Sequence, residues 1–315
     1  MPRRSRWVNL PTEAIHPESR DLDRRSSRSL LQLLAREDRL VVAAVQAEAR
    51  GIERAAALMA DALSSGGRAI FAGAGTSGRL GVLEAAECPP TFGTRPHRII
   101  AIMAGGPRAV FRSKEGAEDR EADAARMLSA VRVKPSDLLV GISASAVTPF
   151  VRRALQLARR RRARTVLVTC GPKEKGVADV VVRPRVGPEV LAGSTRMKAG
   201  TATKLVLNQI TLLAMIRLKK VFGPYMVDLR PGSAKLRDRA RRMVHSLAGV
   251  DRKTASELLK KTGYDVKAAV LMGSLGLTAR EARRRLASEN FDLRAVLKHA
   301  GGRGRGERRR ARARP

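Results

Sequence analysis

Five short apolar runs constrain the fold more than any other feature of this 315-residue chain. Each run is bounded by glycine, proline or polar residues, and stretches with helical spacing of apolar residues separate most of them. The runs span residues 69–72, 99–103, 138–142, 166–169 and 180–182, and the helical stretches span 79–87, 107–130 and 149–162. Strands that alternate with helices form a parallel sheet covered on both faces. The pattern therefore predicts a three-layer α/β/α domain.

Helical spacing also continues on both sides of this predicted sheet. Residues 28–64 predict two helices, the second ending near Ser64, and residues 195–220 predict one long helix. Three or four short amphipathic helices follow between 234 and 300. We therefore predict a polar N-terminal segment over 1–27, the α/β domain over 28–232, a small helical domain over 233–300 and a disordered Arg/Gly-rich tail over 301–315.

The net charge of the chain is +34, from 63 lysines and arginines against 29 acidic residues. Such a charge is typical of proteins that bind nucleic acids. The arginines are, however, spread over the whole chain, and aromatic side chains that could stack on bases make up only 3%. A genome or habitat that favours arginine, together with a solvated tail, explains the charge more simply. Nonspecific contact of the basic tail with nucleic acid follows from the charge, but nucleic acid is not the favoured ligand.

Several classes of protein are excluded by what the sequence lacks. It has no run of about 18 consecutive apolar residues, which a membrane helix needs, and no apolar region of a signal peptide near its start. The two cysteines, Cys88 and Cys170, lack the spacing of metal ligands, and the four histidines stand in no triad-like arrangement. These features predict a cytoplasmic protein without a membrane segment, a disulfide framework or a bound metal.

A glycine-rich turn, Gly73-Ala74-Gly75-Thr76-Ser77-Gly78-Arg79, follows the first predicted strand. Glycines allow a tight turn and a close approach to a ligand, and the following helix N-terminus offers amide groups to an anion. Gly75, Thr76 and Ser77 are therefore candidate phosphate ligands. The pattern GxGxxG is also matched, so a dinucleotide site and a plain strand-to-helix turn remain as alternatives.

A second turn, Ser143-Ala144-Ser145-Ala146-Val147-Thr148, follows the predicted strand 138–142. It contributes three hydroxyl groups, those of Ser143, Ser145 and Thr148. Ligands of parallel sheets lie beyond the carboxyl ends of the strands, so the two turns can bind one phosphate. The acidic residue that binds the ribose of a dinucleotide has no clear counterpart here. The two turns together favour a sugar phosphate over NAD.

Longer blocks of the sequence are more selective than either turn. They are GAGTSGRLGVLEAAECPPTFG at 73–93, EGAED at 115–119, GSTRMKAGTATKLVLN at 193–208, MVD at 226–228 and the opening TEAIHPESRDLD at 12–23. In this order they closely resemble the N-acetylmuramic acid 6-phosphate etherases of the sugar isomerase (SIS) superfamily, over roughly residues 12–300. The resemblance implies an SIS-type α/β/α sheet and a small helical domain like a ubiquitin-associated (UBA) fold.

The resemblance also implies an activity. Etherases of this family cleave the D-lactyl ether of N-acetylmuramic acid 6-phosphate by elimination and water addition, giving N-acetylglucosamine 6-phosphate and D-lactate in cell-wall amino-sugar recycling. Such an enzyme is a carbon–oxygen lyase that uses no metal or other cofactor, and the family is typically homodimeric. By motif, the two catalytic glutamates are Glu87 in AAECPP and Glu118 in EGAED. We add Ser194, Thr195 and Lys198, from the GSTRMK block, to the predicted ligands of the sugar phosphate.

Two carboxyl groups suit this reaction, because an ether is a poor leaving group and the C2 proton must be removed by a base. We predict that Glu87 protonates the departing lactate and then activates water, and that Glu118 removes the C2 proton. Without the resemblance, Glu87 would be interpreted as a solvated acid at the end of a helix. Glu118 would be interpreted as an acid near a helix N-terminus, stabilised by the helix dipole.

The second turn departs from the family pattern. Etherases usually read SGRTP where this chain reads Ser145-Ala146-Val147-Thr148-Pro149. The turn thus lacks a glycine that eases the approach of the backbone to a ligand and an arginine whose charge could help to hold phosphate. The alternative function is a noncatalytic sugar-phosphate-binding protein that resembles the glucokinase regulatory proteins. Those proteins have two SIS domains in a much longer chain, and the presence of both glutamates favours the enzyme.

Overall fold

The computed structural model describes residues 10–172 and 176–299. These residues form two compact units. One contains the chain up to Ala86 and Arg95–Ala214, and the other contains Glu87–Thr94 and the chain from Met215 onward. The domain limits given above stay a prediction. The tail predicted to be disordered, 301–315, and the first nine residues of the polar N-terminal segment lie outside the described residues.

The first unit contains the predicted parallel sheet. Its strands are β1 (Ala69–Gly73), β2 (Ile99–Met103), β3 (Leu138–Ile142), β4 (Arg164–Val168) and β5 (Val180–Val182), in the order β2-β1-β3-β4-β5. All pairs are parallel, which confirms the prediction. Every residue of β1 and β3 is buried, and burial on both faces explains why these strands read as continuous apolar runs.

Seven helices begin in the part of the first unit that the structure describes. They are α1 (Ser27–Gln46), α2 (Ala49–Ser64), α3 (Gly75–Phe92), α4 (Arg108–Phe111), α5 (Glu121–Ala130), α6 (Pro149–Arg160) and α7 (Lys198–Arg217). The two N-terminal helices and the single long helix α7 confirm the predictions for 28–64 and 195–220. Two short 3-10 turns, Pro11–Glu13 and Leu22–Arg24, precede α1.

The two faces of the sheet are covered by different helices. On one face, Ile70, Leu139 and Leu167 belong to a buried cluster with the apolar side chains of α5 and α6. On the other face, α3 packs so closely that a methyl group on Gly81 would lie 2.9 Å from Cβ of Phe71. The fold class, a three-layer α/β/α sheet, is therefore confirmed.

One predicted helix is wrong. Residues 107–130 form two helices, α4 and α5, with a turn between them, because Gly116 adopts a left-handed backbone (φ +69°) that no α-helix contains. The helix predicted at 79–87 is longer than expected and includes Pro89 and Pro90 in its last turn. Proline cannot donate a backbone hydrogen bond and usually marks a helix boundary, but here both prolines stand within α3.

The second unit is mainly helical, as predicted. A two-stranded antiparallel hairpin, β6 (Val221–Phe222) and β7 (Tyr225–Met226), precedes α8 (Ala234–Ala248), α9 (Arg252–Lys261), α10 (Val266–Leu275) and α11 (Ala279–Ser288), and residues 293–299 are also helical. Each of α8 to α11 begins with a side-chain N-cap, at Ser233, Asp251, Asp265 and Thr278. The likeness to a UBA fold stays a prediction.

Helix α7 is the one helix in the described part of the chain that is long and apolar enough to cross a membrane by composition alone. Just over half of its apolar window, 56%, is buried inside the protein. Val206 and Ile210 are fully buried. A core helix passes the same test of length and composition.

Candidate active site

A cavity of about 280 Å³ lies at the carboxyl ends of the strands in the first unit. Its volume is near the lower limit for small-molecule sites, which suits a monosaccharide. The cavity is lined by seven of the residues predicted from sequence: Gly75, Thr76, Ser77, Glu118, Ser145, Thr148 and Thr195. It therefore brings together both turns and one of the two predicted catalytic carboxyl groups.

The first turn connects β1 to α3 through the single residue Ala74. The turn is so tight that a methyl group on Gly73 would lie 2.7 Å from the backbone nitrogen of Gly78. The first amides of an α-helix have no partner within the helix. Because Gly75, Thr76 and Ser77 begin α3 and line the cavity, their amides and the positive end of the helix dipole are available to an anion.

The three hydroxyl groups of the second turn have two roles: one supports the turn, and two face the cavity, where a ligand can bind. Ser143 is buried, and its Oγ lies 2.8 Å from Oγ1 of Thr148. Ser145 and Thr148 line the cavity, whereas Ser143 is not among the residues that line it. Ser143 thus orients Thr148 instead of presenting its own hydroxyl to a ligand.

The backbone of the second turn keeps a glycine-like shape. Ala146 has φ +68°, in the left-handed region that favours glycine, and its side chain is buried. The chain after β4 supports the turn from behind, where the Cys170 amide donates to the carbonyl of Ala144 (3.0 Å). A methyl group on Gly171 would overlap the carbonyl oxygen of Ser145. The turn therefore has a backbone that glycine adopts without strain.

Glu118 lies in the turn between α4 and α5 and not early in a helix, so the dipole argument for it is wrong. Its carbonyl oxygen accepts the amide of Phe150, in the first turn of α6, at 2.9 Å. This bond fixes the Glu118 backbone next to the second turn. The side chain is exposed and lines the cavity, so it can meet a bound ligand.

Glu87 lies near the end of α3, in the second unit, and is exposed. The described residues that line the cavity do not include it. Its neighbour Cys88 is buried, as expected of a small core residue. One helical turn earlier, Glu84 pairs with the side-chain amide of Asn208 when the amide oxygen and nitrogen are placed to satisfy both neighbours. In that orientation the Asn208 nitrogen donates to Glu84 Oε2 at 3.0 Å, and the Asn208 oxygen accepts from Lys204 Nζ at 2.7 Å.

Lys198 and Ser194 are not among the residues that line this cavity. Lys198 is 2% exposed, and its Nζ lies 2.6 Å from Oε2 of Glu37 on α1. The carboxylate of Glu189 accepts the amides of Lys198 and Ala199, both at 2.9 Å, and so caps the N-terminus of α7. The ammonium group predicted to hold phosphate is thus paired with a buried carboxylate.

The buried pair extends to His16. Its Nε2 lies 3.3 Å from Oε1 of Glu37, and its Nδ1 accepts the amide of Glu18 at 3.2 Å. Burial alone would raise the pKa of Glu37, but the hydrogen bond and charge of Lys198, with those of His16, lower this pKa below its ordinary value of 4.5. Glu37 is therefore ionised in this cluster at neutral pH.

Sequence reasoning missed several residues that line the cavity: Thr12, Glu13, Arg79, Lys114 and Glu115. Thr12 and Glu13 belong to the block TEAIHPESRDLD, and the family resemblance of that block was the available signal for a site residue. Arg79 donates to the carbonyls of Ala109 (2.9 Å) and Val110 (2.8 Å), so its guanidinium holds the end of α4 beside the cavity.

Two further observations bear on the chemistry. Across residues 10–172 and 176–299, no group of three or more histidine, cysteine, aspartate or glutamate side chains could hold a metal ion. Burial, with a smaller effect of the Glu189 charge, raises the pKa of Cys170 to about 12. The Cys170 thiol is therefore neutral at physiological pH and is no nucleophile.

The curated relatives are similar to this chain over nearly its whole length, and a family model is similar to a part of it. The family model of the glucokinase regulatory protein N-terminal SIS domain matches residues 51–159. The N-acetylmuramic acid 6-phosphate etherase of Gloeothece citriformis is 44% identical over 294 residues, which cover 93% of this chain and 96% of that protein. The etherase of Salmonella typhi is 45% identical, covering 92% of this chain and 98% of that protein.

Among solved structures, a phosphoheptose isomerase from Francisella tularensis is 18% identical, with a TM-score of 0.46, and covers 62% of this chain and 98% of that chain. The curated relatives are the stronger comparison, because their identity extends over almost the full length of both proteins. The chain belongs to the N-acetylmuramic acid 6-phosphate etherase family.

Proposed function

We propose that this chain cleaves the D-lactyl ether of N-acetylmuramic acid 6-phosphate, giving N-acetylglucosamine 6-phosphate and D-lactate, as a carbon–oxygen lyase. The observation that carries the proposal is the set of residues that line one cavity. It is lined by the first turn of α3, by the hydroxyl-bearing residues Ser145, Thr148 and Thr195, and by the carboxylate of Glu118. The amides and hydroxyls suit a phosphate, and the carboxylate suits proton transfer at the sugar.

The phosphate is bound chiefly by neutral groups. The free amides of Gly75, Thr76 and Ser77 donate to its oxygens, and hydrogen bonds to a charged acceptor are about twice as strong as neutral ones. The hydroxyls of Ser145 and Thr148 add donors from the second turn. The absent arginine at Val147 is offset by Lys114, a cationic residue that lines the cavity.

The reaction needs one base, one acid and one water. In the ring-opened sugar, Glu118 removes the C2 proton, the bond between C3 and the ether oxygen breaks, and Glu87 gives a proton to the departing lactate. Water then adds across the C2–C3 double bond, with hydroxide to C3 and a proton to C2. The role of Glu118 is supported by its place in the cavity, and the role of Glu87 is supported by its AAECPP motif.

We further propose that the protein is a homodimer in the cytoplasm, as the family resemblance implies. On helix α1, Leu31 and Val42 share one face at helical spacing and are 65% and 61% exposed. Exposed apolar side chains on one face of a helix are a candidate surface for a second copy. Light scattering coupled to size-exclusion chromatography measures the mass of the particle directly.

Release of D-lactate from N-acetylmuramic acid 6-phosphate tests the proposed activity. We expect release by the wild type and losses of about 100-fold or more in Glu87→Gln and Glu118→Gln, since general acid–base catalysis contributes about 10²–10⁴-fold. Glu84→Gln is the matched control, because it makes the same change one turn earlier on α3 and retains an acceptor for Asn208. A folded wild type that binds N-acetylglucosamine 6-phosphate but releases no lactate would instead support the noncatalytic alternative.

A further inference from the structure

We propose that Glu13 recognises the hydroxyl groups of the bound sugar and so makes this cavity select sugar phosphates over inorganic phosphate. The inference rests on the phosphosugar-binding part of the proposed function and not on ether cleavage. It assigns a specificity role to Glu13, which lies in the segment of residues 10–19 before α1. Four observations support it: the position of Glu13, the rigidity of its segment, the charges around it and the chemistry of a carboxylate.

Glu13 lies at the cavity wall beside a predicted phosphate ligand. It ends the 3-10 turn Pro11–Glu13 and lines the cavity together with Thr12. Its Oε2 lies 3.2 Å from the point where a Cβ of Gly193 would stand, and the carbonyl of Gly193 accepts the amide of Thr195 at 2.9 Å. The carboxylate thus lies against the turn that carries Thr195, at the wall of the same cavity.

The segment that carries Glu13 is held in place by buried contacts. Three residues later, His16 is 6% exposed and contacts Glu37, which in turn pairs with Lys198. On the other side of Glu13, Leu10 and Thr12 are buried. Because the backbone is fixed on both sides of Glu13, binding of a ligand needs to order only the Glu13 side chain and not the segment that carries it.

The charges around the cavity make the Glu13 carboxylate unfavourable for the binding of a phosphate ion that carries no sugar. Glu13, Glu115 and Glu118 line it together with two cations, Arg79 and Lys114. The guanidinium of Arg79 already donates to two backbone carbonyls. A phosphate ion therefore gains hydrogen bonds from the amides and hydroxyls, but the negative charge of Glu13 repels it. This repulsion is stronger in a partly enclosed site than in water.

The hydroxyl groups of a sugar offset this repulsion. An ionised carboxylate only accepts hydrogen bonds, and a sugar hydroxyl can donate one. A hydroxyl-to-carboxylate bond is charge-assisted and therefore stronger than a neutral one. Glu13 thus adds affinity for a ligand whose hydroxylated chain extends beyond the phosphate-binding amides.

Isothermal titration calorimetry of the full chain with two probes, N-acetylglucosamine 6-phosphate and inorganic phosphate, tests this assignment. We expect Glu13→Gln to weaken the sugar phosphate about 10- to 100-fold and to leave inorganic phosphate unchanged or bound more tightly. Glu18→Gln is the matched control, because it makes the same change in the same segment at an exposed side chain that pairs with Arg36 on the surface. We expect it to bind both probes as the wild type does.

The possible results separate this inference from the proposed reaction. Equal weakening of both probes by Glu13→Gln and Glu13→Ala, or no change in either, would overturn the role of Glu13, because a merely structural side chain would not distinguish the two ligands. A wild type that binds the sugar phosphate but releases no lactate overturns ether cleavage alone. A wild type that does not bind the sugar phosphate overturns both.

Discussion

Replacing Lys198 by methionine would remove the ammonium group that lies 2.6 Å from Glu37 inside the first unit. The Glu37 carboxylate, in a residue that is 8% exposed, would then keep only His16 as a nearby partner, at 3.3 Å. Removing one member of a buried ion pair costs about 3–5 kcal/mol, because the remaining charge is left in a poor solvent. Because His16 stays in contact with Glu37, we expect a cost at the lower end of this range, a loss of about 3 kcal/mol in the free energy of unfolding.

The double variant Glu37→Gln/Lys198→Met separates a structural role of Lys198 from a role in binding. It removes both charges and keeps an amide oxygen that can accept from His16, so the remaining cost is that of lost hydrogen bonds, about 1–2 kcal/mol. The double variant should therefore be more stable than the single Lys198→Met variant by at least about 1 kcal/mol. Such a rescue is the expected sign of direct coupling between the two side chains.

Urea unfolding followed by circular dichroism measures these differences, with each transition fitted separately because the chain contains two compact units. Lactate release measured on the same samples gives the functional comparison. If Lys198→Met unfolds like the wild type but loses affinity for the sugar phosphate, and if Glu37→Gln does not restore it, our structural interpretation is refuted. Lys198 would then be the phosphate ligand that the sequence predicts.

Three further predictions concern other residues. In Gly171→Ala the new methyl group displaces the carbonyl of Ser145, so we expect a loss of about 1–3 kcal/mol of stability and a higher KM for the phosphosugar; an unchanged KM in the kinetic assay would contradict the packing argument. Ser145→Ala should weaken phosphosugar binding about 10- to 100-fold in calorimetry, the value of one lost hydrogen bond to a charged acceptor, without changing the melting temperature by more than a few degrees. Burial would raise the pKa of Asp137, but hydrogen bonds from Arg68 and from the Lys134 amide lower this pKa below its ordinary value of 3.8. The ionised carboxylate therefore contributes its full stabilisation above pH 3.8, and this stabilisation is lost as the pH falls through the lower pKa of the folded state. Asp137→Asn should be less stable at neutral pH and lose less additional stability below pH 3.8, and an identical pH profile of unfolding would argue against this linkage.

The strands and both turns could be predicted because their signals are local. All residues of β1 and β3 are buried, so each strand reads as an apolar run between polar boundaries. The positions of Thr76 and Ser145 follow from the turns after those strands, since the carboxyl ends of parallel strands lie on one edge of a sheet. These elements needed no knowledge of contacts between distant residues.

The omissions at the site concern contacts that are distant in sequence. The turn between α4 and α5, which contains Gly116, is also bonded to α6, where the Phe150 amide donates to the carbonyl of Glu118, 32 residues earlier by their numbering. Lys198 meets Glu37 across 161 positions, and its partner could not be chosen from the sequence. Glu13 lies in a recognisable block, but its place in the cavity depends on where the segment before α1 packs.

The left-handed backbone of Ala146 has a consequence for how this family can diverge. Such a conformation costs a residue with a side chain about 1–2 kcal/mol. The buried methyl group returns about 0.8 kcal/mol, and the lower chain entropy of alanine in the unfolded state returns about 0.4–1 kcal/mol. These terms offset part of the strain, so alanine is tolerated at this position, and a sequence can depart from the signature while the turn persists. A search that requires the signature would overlook such relatives.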